Sequence, residues 1–194
     1  MMGKLYRVSQ CAAAGGALLF AGTALAHKGH KAHEHGVASV SIAVDKTQVG
    51  VDLEVPGVDI FGFEHPPHGT AQKQAVANAL TTLRTQPLVL FQLPADLGCK
   101  ATKVDVKANG MEETPKAPAK LAKATPKSTK QPEEDHADVD ASYIFSCQKA
   151  PDGAAMQLGL LKAFPHIHLA RVQVLSGTLQ KGLQIHAASE EIKL

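Results

Sequence analysis

Hydrophobic and polar positions alternate over long stretches of this chain. Ala38, Val40, Ile42 and Val44 fall on one side of an extended segment, with Ser39 and Ser41 on the other. After Asp45-Lys46-Thr47 the period of two resumes at Val49, Val51, Leu53 and Val55, which predicts a hairpin with one buried face. Pro56-Gly57 ends its second strand, and an irregular stretch from Ile60 to His68 follows. A helix is expected from about Thr70, its N-cap, with Ala75, Val76, Ala79, Leu80 and Leu83 as its apolar stripe and Pro87 as its stop. Leu88 to Leu93 reads as a short apolar strand, and Thr102, Val104 and Val106 mark the next. Val139, Ala141, Tyr143, Phe145 and Cys147 share a further strand face. Met156, Leu158 and Leu160 suggest another strand, interrupted by residues 161–165. Val172 and Val174 then mark one more, and Leu183 with Ile185 the last. The sum is an α+β fold: an antiparallel β-sheet, or sheets, covered by one main helix.

Three segments depart from these periods. Residues 1–26 read as a cleaved signal peptide, with Lys4 and Arg7 before a short apolar run and Ala24-Leu25-Ala26 as the cleavage site. That run is well short of the ~20 residues a membrane span needs, so the mature chain is expected to have no span. Residues 27–36 form a His-rich N-terminal arm without hydrophobic period. Residues 110–135 carry five lysines, four prolines and five acids, with Met111 and Leu121 the only large apolar side chains. Such a composition offers too little apolar surface to offset its ordering entropy, and a disordered central insertion is expected. Residues 37–109 and 136–194 then make a single α+β metal-binding domain. A loose internal similarity links residues 37–63 with 139–164, each reading strand, turn, strand and an apolar segment ending in Phe.

Composition narrows the function. The chain has 194 residues, a formal charge of +2, 44% hydrophobic residues, 4% aromatics and no Trp. It is therefore neither a disordered polymer nor a charge-driven nucleic-acid binder. Loss of Lys4 and Arg7 with the signal leaves basic and acidic residues in balance, without a bulk field for DNA or anionic lipid. Export leaves Cys99 and Cys147 in an oxidising compartment, where a disulfide is expected. A metal site built on the two thiolates is the alternative.

The ten histidines are the main chemical clue, because His27, His30, His33 and His35 crowd into the arm. Neutral imidazole is a good ligand for Zn²⁺, Cu²⁺ and Ni²⁺; the competing reading is a solvated polar terminus. If extended geometry reaches back to residue 33, His33 and His35 share a face. His65 and His68 flank two prolines that stiffen the backbone, with Glu64 adjacent; local hydrogen bonding near the helix start is the competing role. His136 follows Glu133-Glu134-Asp135 where the insertion returns to the sheet, as a ligand or as part of an acidic tether. His166 and His168 either extend the face of Val172 and Val174 or, because Ile167 and Leu169 imply a phase change, lie off it. His186 reads as surface. No Gly-rich phosphate loop, G-x-S-x-G elbow or H-E-x-x-H pair is present, and the mature chain's two methionines make no Cu(I) thioether cluster. An enzyme is not expected.

Taken in order, His33-Glu34-His35-Gly36 opening a strand, Gly62-Phe63-Glu64-His65 after the hairpin and His136-Ala137-Asp138 carry a resemblance. With Ala141-Ser142-Tyr143 in a strand reaching Cys147, and Leu161-Lys162-Ala163-Phe164-Pro165, the chain resembles the ZrgA-type periplasmic zinc-binding proteins of Gram-negative bacteria. The resemblance spans nearly all the mature chain. It implies an envelope protein made under zinc limitation, which binds Zn²⁺ and assists its uptake by an ABC-type importer. Family members often carry a His/Asp-rich run in the central insertion. Here that segment is Lys/Pro/Ala-rich with no histidine before His136, which weakens multi-site buffering.

The expectation is thus a periplasmic carrier with Zn(II) as its ion. His33, His35, His65 and His136 are the leading ligands, Glu64 is a ligand or supporting carboxylate, and His27, His30, His68, His166 and His168 are further candidates. A copper- or nickel-sequestering protein using the same histidines is the first alternative, and an envelope interaction module without metal the second.

Overall fold

The computed structural model describes residues 34–111, 137–177 and 179–194. The signal reading over 1–26, His27, His30, His33, His136 and nearly all of the insertion lie outside them.

The first hairpin forms as its alternation dictates. Strand β1 (Val37–Asp45) pairs antiparallel with β2 (Gln48–Pro56) from Ser39↔Glu54 to Asp45↔Gln48. The two-residue turn places Lys46 at φ 55°, the left-handed conformation a tight hairpin requires. Both strands bury every second residue, from Val40 and Ile42 to Val51 and Leu53, while Ser39, Ser41, Asp52 and Glu54 face solvent.

Pro56 does end β2; a short helix, α1 (Gly57–Phe61), takes the first two residues of the stretch expected to be irregular, and residues 62–68 are irregular as expected. The long helix α2 (Gly69–Thr85) starts after His68, whose side chain does not cap it, and buries Ala79 and Leu83. The strand expected over Leu88 to Leu93 is instead the single turn α3 (Pro87–Leu90), followed by one bridge from Gln92 to Gln157. Pro87 explains the difference: fixed in φ and lacking an N–H, it suits the first turn of a helix.

Strand β3 (Lys100–Asn109) carries an irregularity between Ala101 and Lys103 and pairs antiparallel with β4 (Asp138–Ser146). All five apolar positions expected on the β4 face, Val139 through Cys147, are buried. Strand β5 is limited to Ala155–Gln157, and Leu160 opens the turn α4 (Leu160–Ala163) rather than continuing it. Strands β6 (Leu169–Ser176) and β7 (Leu179–Ile185) follow, and a further short strand, β8 (Glu191–Lys193), pairs with β5. The expected internal similarity does not extend to pairing: β1 and β2 form a hairpin, whereas β4 lies between β2 and β3.

The main sheet has six strands in the order β3-β4-β2-β1-β6-β7. It is not antiparallel throughout, because β1 and β6 run parallel from Val37↔Leu169 to Val44↔Ser176. That pairing brings the start of β6 beside the start of β1. One sheet face is apolar and packs against the helical segments, with Phe91, Tyr143 and Phe145 in mutual ring contact at 5.0–6.4 Å. The Tyr143 hydroxyl donates to the Leu83 carbonyl at 3.1 Å and ties α2 to this face, and burial pushes its phenol well above the usual tyrosine range. Among the described residues, no helix is long and apolar enough to cross a membrane.

Cys99 and Cys147 are disulfide-bonded across 48 positions, at the foot of the β3–β4 pair. Replacing both by Ala is expected to lower unfolding free energy by roughly 4 kcal/mol, the chain-entropy value for a loop of ~50 residues, as read from urea midpoints. Gly159, just before α4, leaves no room for a side chain, since an added Cβ would stand 2.0 Å from the Val89 carbonyl oxygen. Gly159→Ala is therefore expected to cost about 1–3 kcal/mol by forcing α3 and α4 apart, measurable as a lowered Tm.

Candidate metal centre

The strand directions gather several chain segments at one end of the sheet: the starts of β1, β4 and β6 and the ends of β2, β3 and β7. Gly36 is the junction. It adopts φ +78°, its N–H donates to Asp59 Oδ2 at 2.7 Å, and its carbonyl accepts from the backbone N–H groups of His168 and Leu169 at 3.0 and 3.1 Å. A Cβ here would lie 1.8 Å from His168 Cε1, so the imidazole rests directly on the glycine backbone. Only Gly meets both the conformation and the close approach. On the other side of Asp59, the Gly57 N–H donates to the carbonyl of Ala137. Residues 34–36, α1, the start of β4 and the turn before β6 thus converge.

Around this junction stand several of the expected donors. His35 Nε2 lies 2.9 Å from Glu64 Oε1, with side-chain exposures of 62% and 21%. Because a carboxylate only accepts, this bond puts a proton on Nε2 and, in the neutral ring, leaves the Nδ1 lone pair for a ligand. Glu34, next to His35, pairs with Arg171 of β6 at 2.6 Å, a second clamp on the start of β1. His166 and His168 are exposed, whereas Ile167 and Ala170 are buried; the phase change implied by the apolar residues takes both histidines off the buried face of Val172 and Val174.

His65 and His68 are arranged differently. Phe63, His65 and His68 stack in sequence, with centroid separations of 5.0 and 5.1 Å. His65 Nδ1 lies 2.9 Å from the Pro66 carbonyl, which places a proton on Nδ1 and, in the neutral ring, leaves the Nε2 lone pair for a ligand. The His68 backbone N–H donates to Gln72. The two rings are exposed on the proline loop and stacked on each other.

Among the described residues, no three His, Cys, Asp or Glu side chains stand together as a ready metal cage. His35 and Glu64 are in direct contact, and His35, His166 and His168 lie within electrostatic reach of Asp59. His33 and His136 are outside the described residues, but they directly precede two converging segments, at Glu34 and Ala137.

One buried residue at this junction had little local signal in the sequence. Asp59 falls between the Pro56-Gly57 break and the stretch read as irregular, yet it is 4% exposed and within electrostatic reach of His35, His166 and His168. Burial raises its carboxyl above the ordinary aspartate value; the Gly36 hydrogen bond and the positive charges those histidines carry when protonated act in the opposite direction. His186 follows Ile185, the partner of Ala170, so it lies at this same sheet end, exposed as expected. Only the isolated Asp in an apolar V-D-I-F run could have flagged Asp59.

A raised carboxyl pKa means that the folded protein binds its proton more readily than the unfolded chain. Asp59 therefore costs stability as pH rises from about 3.8 through its folded value. Asp59→Asn keeps an acceptor for Gly36 and removes the buried charge. The zinc-free Asp59→Asn variant is expected to be at least as stable as wild type at about pH 7, with the difference shrinking toward about pH 4. Urea midpoints at the two pH values check this; a loss above about 1 kcal/mol at neutral pH would contradict it.

No curated protein matches this chain. One family does: the description "ZrgA family zinc uptake protein" matches residues 32–194, a span that holds every described strand and helix and all the converging segments. The chain belongs to the ZrgA family of zinc uptake proteins.

Proposed function

We propose that this protein captures Zn²⁺ in the periplasm and assists its import, acting as a carrier rather than an enzyme. The observation that carries the reading is that His35, bonded to Glu64, and His166 and His168 come to one sheet end within electrostatic reach of the buried Asp59. Imidazole and carboxylate form a donor set suited to zinc. Ligation is completed by His33 and His136, which adjoin Glu34 and Ala137 in the chain. His65, with its tautomer fixed by Pro66, offers Nε2 as an entry ligand on the exposed proline loop, with His68 stacked behind it. Zinc is the cargo here, so a cage that closes only when the ion arrives suits its function. Reversible, solvent-reachable coordination allows hand-over to a component of an ABC-type importer, whereas a preformed structural site would retain the ion.

Isothermal titration of the chelator-stripped protein with Zn²⁺ tests the reading. Binding in the micromolar range or tighter is expected, weakened by at least about tenfold in His35→Ala and in a version lacking residues 27–35. Imidazole binds zinc only when neutral, so affinity is also expected to fall on acidification from about pH 7.5 to about pH 5. No binding tighter than millimolar would sink the carrier reading. Affinity unchanged by acid would remove the histidines from it.

A further inference from the structure

Resting on that zinc-capture reading, we propose that Asp59 is a positioning residue whose buried negative charge supports a Zn²⁺ ion held by imidazoles of the segments that meet at Gly36. Three facts meet at this side chain. It is 4% exposed, it accepts the Gly36 N–H at 2.7 Å, and it lies within electrostatic reach of His35, His166 and His168, which come from two segments far apart in sequence.

The hydrogen bond alone does not call for a carboxylate. An Asn at this position accepts the same N–H without placing a charge in an apolar environment, where burial disfavours the ionised form. A buried carboxylate is therefore a costly way to hold a glycine backbone. Its negative charge becomes favourable when a divalent cation arrives nearby, because opposite charges in a poorly screened environment attract strongly. The same group also fixes where the ligands stand. Through Gly36 it pins the residue following His35, and the Gly36 carbonyl in turn pins the backbone of His168. Asp59 thus links the positions of the two histidine-bearing segments and opposes the charge of the ion they would share. Its action on the ligand rings runs through position and field.

The test uses Zn²⁺ as the probe on chelator-stripped wild type and on Asp59→Asn, with Tm and hydrogen exchange of the Gly36 amide as controls. Asp59→Asn is expected to keep Tm and Gly36 protection while zinc affinity drops about 10–100-fold. Equal zinc affinity in the two proteins, with wild type binding tightly, overturns this proposal alone and reduces Asp59 to a backbone acceptor. Absence of tight zinc binding by wild type overturns the carrier reading and this proposal together. Wild-type protein provides a check independent of how the variant folds: the Asp59 carboxylate ¹³C resonance is expected to move on addition of one equivalent of zinc. A resonance that stays in place counts against the proposal.

Discussion

The arrangement at the donor-bearing end depends on one backbone residue, Gly36, bonded on both sides. Its N–H is held by a buried carboxylate and its carbonyl by the turn that opens β6. A side chain at position 36 would strain the left-handed backbone and displace the His168 ring from its place on the glycine. The parallel pairing of β1 and β6 begins at the next residue, so this junction sets the register of the sheet centre. A one-residue slip would turn Val40, Ile42, Val172 and Val174 out of the core. Registry of the core and placement of the histidines therefore have a common origin.

Strand direction has a large effect on what is brought together. A nine-residue strand such as β1 spans about 30 Å. With β6 antiparallel to β1, His166 and His168 would lie at the far end of the sheet from His35. The parallel pairing removes that distance, and the antiparallel β2 and β4 then bring Asp59, Glu64 and Ala137 to the same end.

The period of two made β1, β2, β4 and β6 legible from sequence, because each has one apolar face against a single core and that alternation is strictly local. The parallel pairing was not legible, since pairing direction depends on crossovers rather than on the alternation within a strand. Residues 88–93 misled for a different reason: a short apolar run fits a buried strand or a buried helical turn equally well, and Pro87 decides for the turn. The candidate donors His35, Glu64, His166 and His168 were visible as residue types. Their grouping was not, because they come from separate segments. Asp59 stayed hidden because an aspartate in an apolar run looks like an interruption until its burial is known.

The position of the disulfide has a consequence for the covalent integrity of the chain. The insertion departs after Asn109 and returns at Asp138, which are paired neighbours at one end of the β3–β4 ladder, while Cys99 and Cys147 are joined at the other. The two strands and the intervening chain thus form a closed covalent ring. Cutting the lysine-rich stretch with a trypsin-like protease opens the ring without separating its halves. The amino-terminal part with β1 to β3 and the carboxy-terminal part with β4 to β8 remain one molecule under oxidising conditions. They come apart on a gel only after reduction.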